Sequence, residues 1–241
     1  MTDMSAHTRS TAGWSLDELA NAGRENLDVD HVRRYDAKED ADAEGEVTVL
    51  RSLGLDERSE VVDLGAGTGQ FAVAVAGICS RVVAVDVSPV MISRLRSKVD
   101  QAHRANVDIV QAGFLTYQHD GPPADVVYSR FALHHLPDFW KVVALERVRR
   151  ILRTGGLFRL WDVVYNFDPR QAEQRVEAWC ATGGTEVEGE WSRAEIEEHV
   201  RDEHSTFTWL LEPMLGRCGF DIEGVEYSTD GFFAKYVGRA R

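Results

Sequence analysis

From Glu60 onward the hydrophobic pattern switches repeatedly between two periods. The short apolar runs EVVDLG (60–65), RVVAVDV (81–87), NVDIVQAG (106–113), ADVVYSRF (124–131) and LFRLWDVV (157–164) predict strands. Between them GQFAVAVAGI, SPVMISRLRSKVDQA and DFWKVVALERVRRIL carry apolar residues at helical spacing. Ser88 stands as N-cap with Pro89 at the first helical position, and Gly155 and Gly156 are expected to close the third helix. Its Val148, Ile151 and Leu152 share one face and its arginines the other, so ERVRRIL reads as a helix covering a sheet. Strands alternating with helices imply βαβ units, an α/β class and a parallel sheet, with ligands at the carboxyl ends of the strands.

The flanks differ. Residues 1–14 are polar and expected to be a flexible N-terminus. SLDELANAG (15–23) predicts a short helix between Ser15 and Gly23. The stretch from Asp30 to Leu53 predicts another, with Val47, Leu50 and Leu53 in helical register, Gly54 as its stop and Gly45 as a weak point. After Asp168, QAEQRVEAW and SRAEIEEHVRDEHSTFTWLLEPML predict helices around the loop TGGTEVEGE. The end, GFDIEGVEYSTDGFFAKYVGRA, predicts an antiparallel hairpin at the sheet edge turning near Thr229, Asp230 and Gly231. The expected organisation is a single domain over 15–241, with a helical lid at 15–54 and a helical insertion at about 168–216.

Charge narrows the partners. The 241 residues hold 40 acidic and 27 basic side chains, a net charge of −13, which disfavours nucleic-acid phosphates and anionic membrane surfaces. Cys79, Cys180 and Cys218 form no CxxC pair and suggest reduced thiols. The start has no apolar core of a signal peptide, and no run approaches the roughly 18 apolar residues of a membrane span. A cytoplasmic protein is expected.

The stretch VVDLGAGTGQFA (61–72) raises a chemical question. Gly65 and Gly67 fit the dinucleotide fingerprint G-x-G-x-x-G/A, but Gln70 stands third and the spacing is instead Asp63-x-Gly65-x-Gly67-x-Gly69. A carboxylate here would repel a pyrophosphate and attract a nucleoside bearing a cation, directly or through water. Asp86, ending the next strand, can accept both hydroxyls of a ribose, a role that does not separate the two ligand types.

VVDLGAGTGQFA followed by VVAVDVSPVMI resembles the class I S-adenosylmethionine-dependent methyltransferases, closely over residues 58–163 and again in the terminal hairpin. The resemblance implies a Rossmann-like three-layer sandwich, its seven-stranded, mostly parallel sheet ending in an antiparallel C-terminal hairpin. It implies S-adenosyl-L-methionine as cofactor and S-adenosyl-L-homocysteine as product, lying over the first four strands. Asp63, Gly65, Ala66 and Gly67 would face the methionine moiety, Asp86 and Val87 the ribose, and Met91 the adenine. Such proteins often carry an acidic residue after the third strand that reads the adenine amino group. Gly113 occupies that place here, leaving adenine contact to its backbone and to Phe114.

Methyl transfer from a sulfonium is an in-line displacement, so the protein mainly positions reactants and excludes water. YSRFALHHLPDFW (128–140) lies at the expected mouth. Ser129 and Arg130 would serve the methionine end. His134 and His135 are the candidate catalytic residues; one would face the acceptor and the other pack, or both serve structure. Trp161, Asp162 and Tyr165 are acceptor-side candidates, against a reading of Trp161 as core and Asp162 as a turn cap. Tyr35 would close the lid over the cofactor, and Arg33 or Arg34 would meet a carboxylate or simply face solvent. Glu198, His199, Glu203 and His204 suggest a metal, but the histidines are five apart rather than four. A solvated charged face and no metal are expected there.

The expected activity is methyl transfer to a small-molecule acceptor by a monomer or homodimer, the acceptor atom being O, N or C. The alternative is a non-catalytic S-adenosylmethionine-binding module or partner subunit. A nicotinamide oxidoreductase is disfavoured by Asp63 and Gln70, and the chain has no GxSxG, P-loop or HExxH motif.

Overall fold

The computed structural model describes residues 13–24, 26–29, 31–33, 42–184 and 191–241. Helix α1 (Ala43–Ser52) precedes β1 (Glu60–Leu64), α2 (Gln70–Val75), β2 (Arg81–Asp86), α3 (Pro89–Gln101), β3 (Val107–Gln111) and β4 (Ala124–Arg130). A 3-10 turn (Leu133–His135) leads to α4 (Asp138–Ile151), β5 (Leu152–Tyr165) and α5 (Ala172–Cys180). Then follow α6 (Arg193–Asp202), the two-residue β6 (Thr206–Phe207), α7 (Thr208–Arg217), β7 (Phe220–Tyr227) and β8 (Phe233–Ala240).

The sheet runs in the order β3-β2-β1-β4-β5-β8-β7, with β6 pairing separately to β5. Strands β1 to β5 pair in parallel, whereas β8 lies antiparallel between β5 and β7. This is the Rossmann-like α/β sheet with its antiparallel C-terminal hairpin. Period-two alternation distributes each strand to two apolar layers. In β2, Val82 and Ala84 pack on one side, with residues of α1, α2 and α3; Val83 and Val85 pack on the other, with residues of α4 and α7.

A buried ion pair fastens α1 across the sheet. Arg159 of β5 donates to Glu46 at 2.7 and 2.9 Å, and Lys235 of β8 reaches the same carboxylate at 3.2 Å. The three free cysteines are all buried, Cys79 after α2, Cys180 at the end of α5 and Cys218 after α7.

Several expectations are corrected. Residues 15–23 form successive turns, not a helix, because Asp17 accepts the N–H groups of Leu19 and Ala20 and the bonds that follow span three residues. The expected helix from Asp30 to Leu53 is interrupted: Asp42 is left-handed at φ 42°, and α1 starts after it. Helix α4 passes directly into β5, so Gly155 and Gly156 lie inside that strand at a register shift against β4. The long helix expected over 192–215 is split where Thr206 and Phe207 pair with Val164 and Tyr165. Among the described residues no helix is long and apolar enough to cross a membrane.

Candidate functional site: a crevice at the strand ends

The turn after β1 passes through Gly65, Gly67 and Gly69 at φ 76°, 54° and 84°, a left-handed region that favours glycine. Space enforces the same choice, since a Cβ on Gly65 would strike Ala132 and one on Gly69 would strike Leu95. The Gly65 and Ala66 N–H groups both donate to the Val85 carbonyl at 2.9 Å, locking the turn to β2. Asp86 is fixed from both sides: Gly67 N–H donates to one carboxylate oxygen and Ser88 N–H to the other, each at 2.8 Å. Ser88 also caps α3 through Met91 N–H, as its sequence position predicts.

These elements border a crevice of about 600 Å³ lined by Gly65, Gly67, Asp86, Val87, Met91, Gly113, Phe114, Arg130 and His135, among others. An adjoining hollow of about 360 Å³ is lined by Asp63, Ala66, Gln70 and Tyr128, and shares Gly65, Gly67 and Arg130 with the crevice. Asp63 is only 1% exposed. Its Oδ2 is buried without a hydrogen-bond partner. Burial, reinforced by the charge of Asp86, pushes its carboxyl up to about 8. Burial also raises Asp86 to about 6, against the opposing N–H bonds from Ser88 and Gly67. Ser129 is buried within β4 and lines neither space. Tyr35 and Arg34 lie outside the described residues.

One carboxylate at the crevice escaped the sequence reading. Glu18 is buried, accepts Leu115 N–H at 3.0 Å and the Thr116 hydroxyl at 3.1 Å, and lines the crevice. A Cβ on Gly113 would collide with its carboxylate. Burial raises its pKa. A carboxylate thus stands beside Gly113 after β3, brought there by a segment nearly a hundred residues earlier. A turn-forming stretch read as a helix gave no signal of it.

His134 and His135 share the 3-10 turn with ring centroids 4.3 Å apart but face different ways. His135 lines the crevice, with Nε2 3.5 Å from the Asn26 amide. Burial and the neighbouring His134 depress its pKa to about 3. His134 turns inward, with Nδ1 2.5 Å from Asp162 and Nε2 2.9 Å from Glu203. Burial alone would lower His134, but Asp162 and Glu203 prevail and raise it to about 10. Asp162 does not face an open pocket: it accepts His134 N–H at 3.1 Å and Val163 N–H at 2.8 Å and is buried.

The segment read as a solvated charged face is corrected most sharply. His199 is buried, and its Nδ1 meets Glu203 at 2.5 Å while its Nε2 meets Ser205 at 3.0 Å. Glu203, 13% exposed at its side chain, therefore receives α6, the 3-10 turn and β5 into one polar cluster, and its carboxyl is held far below the usual range despite burial.

Trp161 and Tyr165 part company. Trp161 lines a separate hollow of about 580 Å³ with Phe131, Tyr227, Phe233 and Lys235. The Lys235 ammonium lies 3.7 Å from its ring centre and the Arg130 guanidinium 4.6 Å. Phe131 and Arg130 form the wall toward the crevice. Tyr165 instead joins an aromatic cluster with Phe167, Phe207 and Phe232.

Comparison with known proteins agrees with this geometry. Residues 61–156 match the family model of a methyltransferase domain. The 27-O-demethylrifamycin SV methyltransferase of Amycolatopsis mediterranei is 28% identical over 155 residues, covering 62% of this chain and 55% of that protein. The chain therefore spans only about half of that relative's length. An uncharacterized methyltransferase of Anoxybacillus flavithermus is 25% identical over 209 residues, 83% of this chain and 92% of its own. A SAM-dependent methyltransferase from Aquifex aeolicus has the same fold, with a TM-score of 0.61 at 18% identity over 88% of this chain and 99% of its own.

Proposed function

We propose, from the premise that this chain carries a class I S-adenosylmethionine-dependent methyltransferase domain, that it transfers a methyl group to a small-molecule acceptor. The observation that carries the reading is the buried Asp63 carboxylate beside the glycine turn, one oxygen of which has no hydrogen-bond partner. A buried carboxylate without a partner costs about 1–3 kcal/mol or more. A ligand bringing a cation and hydrogen-bond donors to that place relieves the cost; a pyrophosphate worsens it.

The residues present fit such a cofactor. Asp63, Gly65, Ala66 and Gly67 would hold its amino-acid end, and the free lone pairs of Asp86 its ribose hydroxyls. Met91 and Phe114 would flank the adenine, with Glu18 at the edge that Gly113 leaves open. Bound, S-adenosylmethionine supplies a methyl group already activated by a sulfonium. The protein's share is then to orient the acceptor and exclude water. Arg130, stacked on Phe131 and Trp161, fixes the crevice wall against which the acceptor would be held. His135, held neutral by burial, offers a hydrogen bond to the acceptor; with its pKa near 3 it is suited to orientation, not proton removal. His134, occupied by two carboxylates, positions the turn that presents His135.

Calorimetric titration with S-adenosylmethionine, S-adenosylhomocysteine and NAD tests the assignment. Micromolar binding of both adenosyl ligands and none of NAD is expected. Binding of NAD alone would overturn it. Adenosyl binding without methyl transfer to any acceptor in a broad screen would favour the non-catalytic alternative.

A further inference from the structure

Behind the crevice, the inward-facing atoms of His134 and His135 meet α6 in a constellation that the proposed methyl transfer does not account for. Three ring nitrogens converge on one oxygen of Glu203: His199 Nδ1 at 2.5 Å, His134 Nε2 at 2.9 Å and His135 Nδ1 at 4.0 Å. The candidate ligand atoms of His134, His135 and Glu203 all lie within 4.8 Å of one another. We propose that His134, His135, His199 and Glu203 bind one divalent transition-metal ion of the zinc class, clamping α6 to the turn after β4.

Four features support the site. The ligand set is three imidazoles and a carboxylate, which suits zinc, cobalt or nickel; magnesium and calcium require oxygen ligands. Tetrahedral bonds of about 2.0–2.1 Å put ligand atoms about 3.3 Å apart. The three nitrogens stand 2.5–4.0 Å from the Glu203 oxygen, and His199, outside the mutually close set of His134, His135 and Glu203, must swing in to complete the shell. Two rings are oriented from outside, His134 through Nδ1 on Asp162 and His199 through Nε2 on Ser205, so each presents its other nitrogen to the centre. Finally, the convergence is not hydrogen bonding of ordinary form. His135 Nδ1 and the shared Glu203 oxygen are both buried, and neither has a hydrogen bond of acceptable direction. Three donors cannot all aim at one oxygen; three lone pairs and a carboxylate can all aim at one ion.

Charge gives the same result. Asp162 and Glu203 bring two negative charges into this nearly closed space, and buried charge must be compensated. One dication with three neutral imidazoles balances both. The sequence rule that excluded a metal compared His199 with His204, but the pair that shares a helical face is His199 with Glu203, four apart.

The test uses full-length protein, freed of any affinity tag, stripped with chelator and titrated separately with zinc chloride and magnesium chloride. One zinc per chain, proton release on binding, a raised Tm and no magnesium uptake are expected. Glu203→Gln and His199→Ala should each lower zinc affinity at least about tenfold, and Asp162→Asn about 10–100-fold through ring orientation alone. A cobalt(II) derivative should show tetrahedral d–d bands without a sulfur charge-transfer band. Folded wild-type protein that takes up no stoichiometric zinc overturns the proposal, protons alone then holding the cluster. So does unchanged affinity in the variants, or a sulfur band placing the ion on a cysteine. Wild-type uptake decides the matter even if a variant does not fold, and none of these readouts depends on cofactor binding.

Discussion

Asp63 and Asp162 sit on parallel strands of one sheet, at 1% and 2% exposure, and the protein treats them in opposite ways. Asp162 in β5 is used up: a histidine ring and two backbone N–H groups satisfy it. Asp63 in β1 keeps a buried oxygen without a partner and a pKa raised to about 8. The half of the sheet around Asp63 leaves polar capacity for something else to complete. Around Asp162 the carboxylate is instead closed on the His134 ring and on the backbone of the 3-10 turn and β5. Burial alone therefore does not single out Asp63; burial with an unpartnered oxygen beside the glycine turn does.

Removing each carboxylate tests the contrast. Asp162→Ala should be the costlier for the fold, about 3–5 kcal/mol in chemical denaturation, because it strands His134 in a buried site. Asp63→Asn should act in reverse, stabilising the unliganded protein while weakening S-adenosylmethionine binding by about 2–3 kcal/mol, or about 30–150-fold. An Asp63→Asn protein with unchanged ligand affinity would erase the distinction.

The same contrast has a pH signature. The folded-state pKa of Asp63 is raised from 3.8 to about 8, so the folded chain holds more protons than the unfolded one between those values. Unliganded stability should accordingly fall as pH rises from about 4 to 8 and level off above, with Asp86 adding to the decline up to about 6. Binding of a cation favours ionised Asp63, so affinity should climb with pH toward 8, by at most about tenfold per unit. Calorimetry in buffers of different ionisation enthalpy should register the released proton, and Asp63→Asn should abolish that component. The smallest effect is expected at Glu18, where Glu18→Gln should cost about 0.5–1.5 kcal/mol of binding and reduce discrimination between adenosyl and inosyl ligands. Equal discrimination in the variant would remove Glu18 from the adenine edge.

The two halves also differed in legibility. Asp63, Gly65 and Gly67 lie within five residues of one another and Asp86 ends the next strand, so local pattern sufficed to find them. The parallel sheet and the terminal hairpin were legible for the same reason: the central strands are short apolar runs bounded by turn residues, and the last strand alternates. Glu203 was not legible. On its own helix it looks like one more exposed acid among Glu197, Glu198 and Asp202, and only tertiary contact with His134 reveals it. Glu18 failed for a different reason: its neighbour Asp17 competes for backbone N–H groups and turns a helical pattern into bends.

The three buried thiols give the molecule internal clocks. Cys79 belongs to the apolar layer beneath β1 and β2, Cys218 to the opposite layer, and Cys180 to the end of α5. A water-borne alkylating reagent reaches each sulfur only while its surroundings are open, so each labelling rate reports the opening equilibrium of one region. The two apolar layers and the end of α5 can thus be timed separately in the unmodified chain.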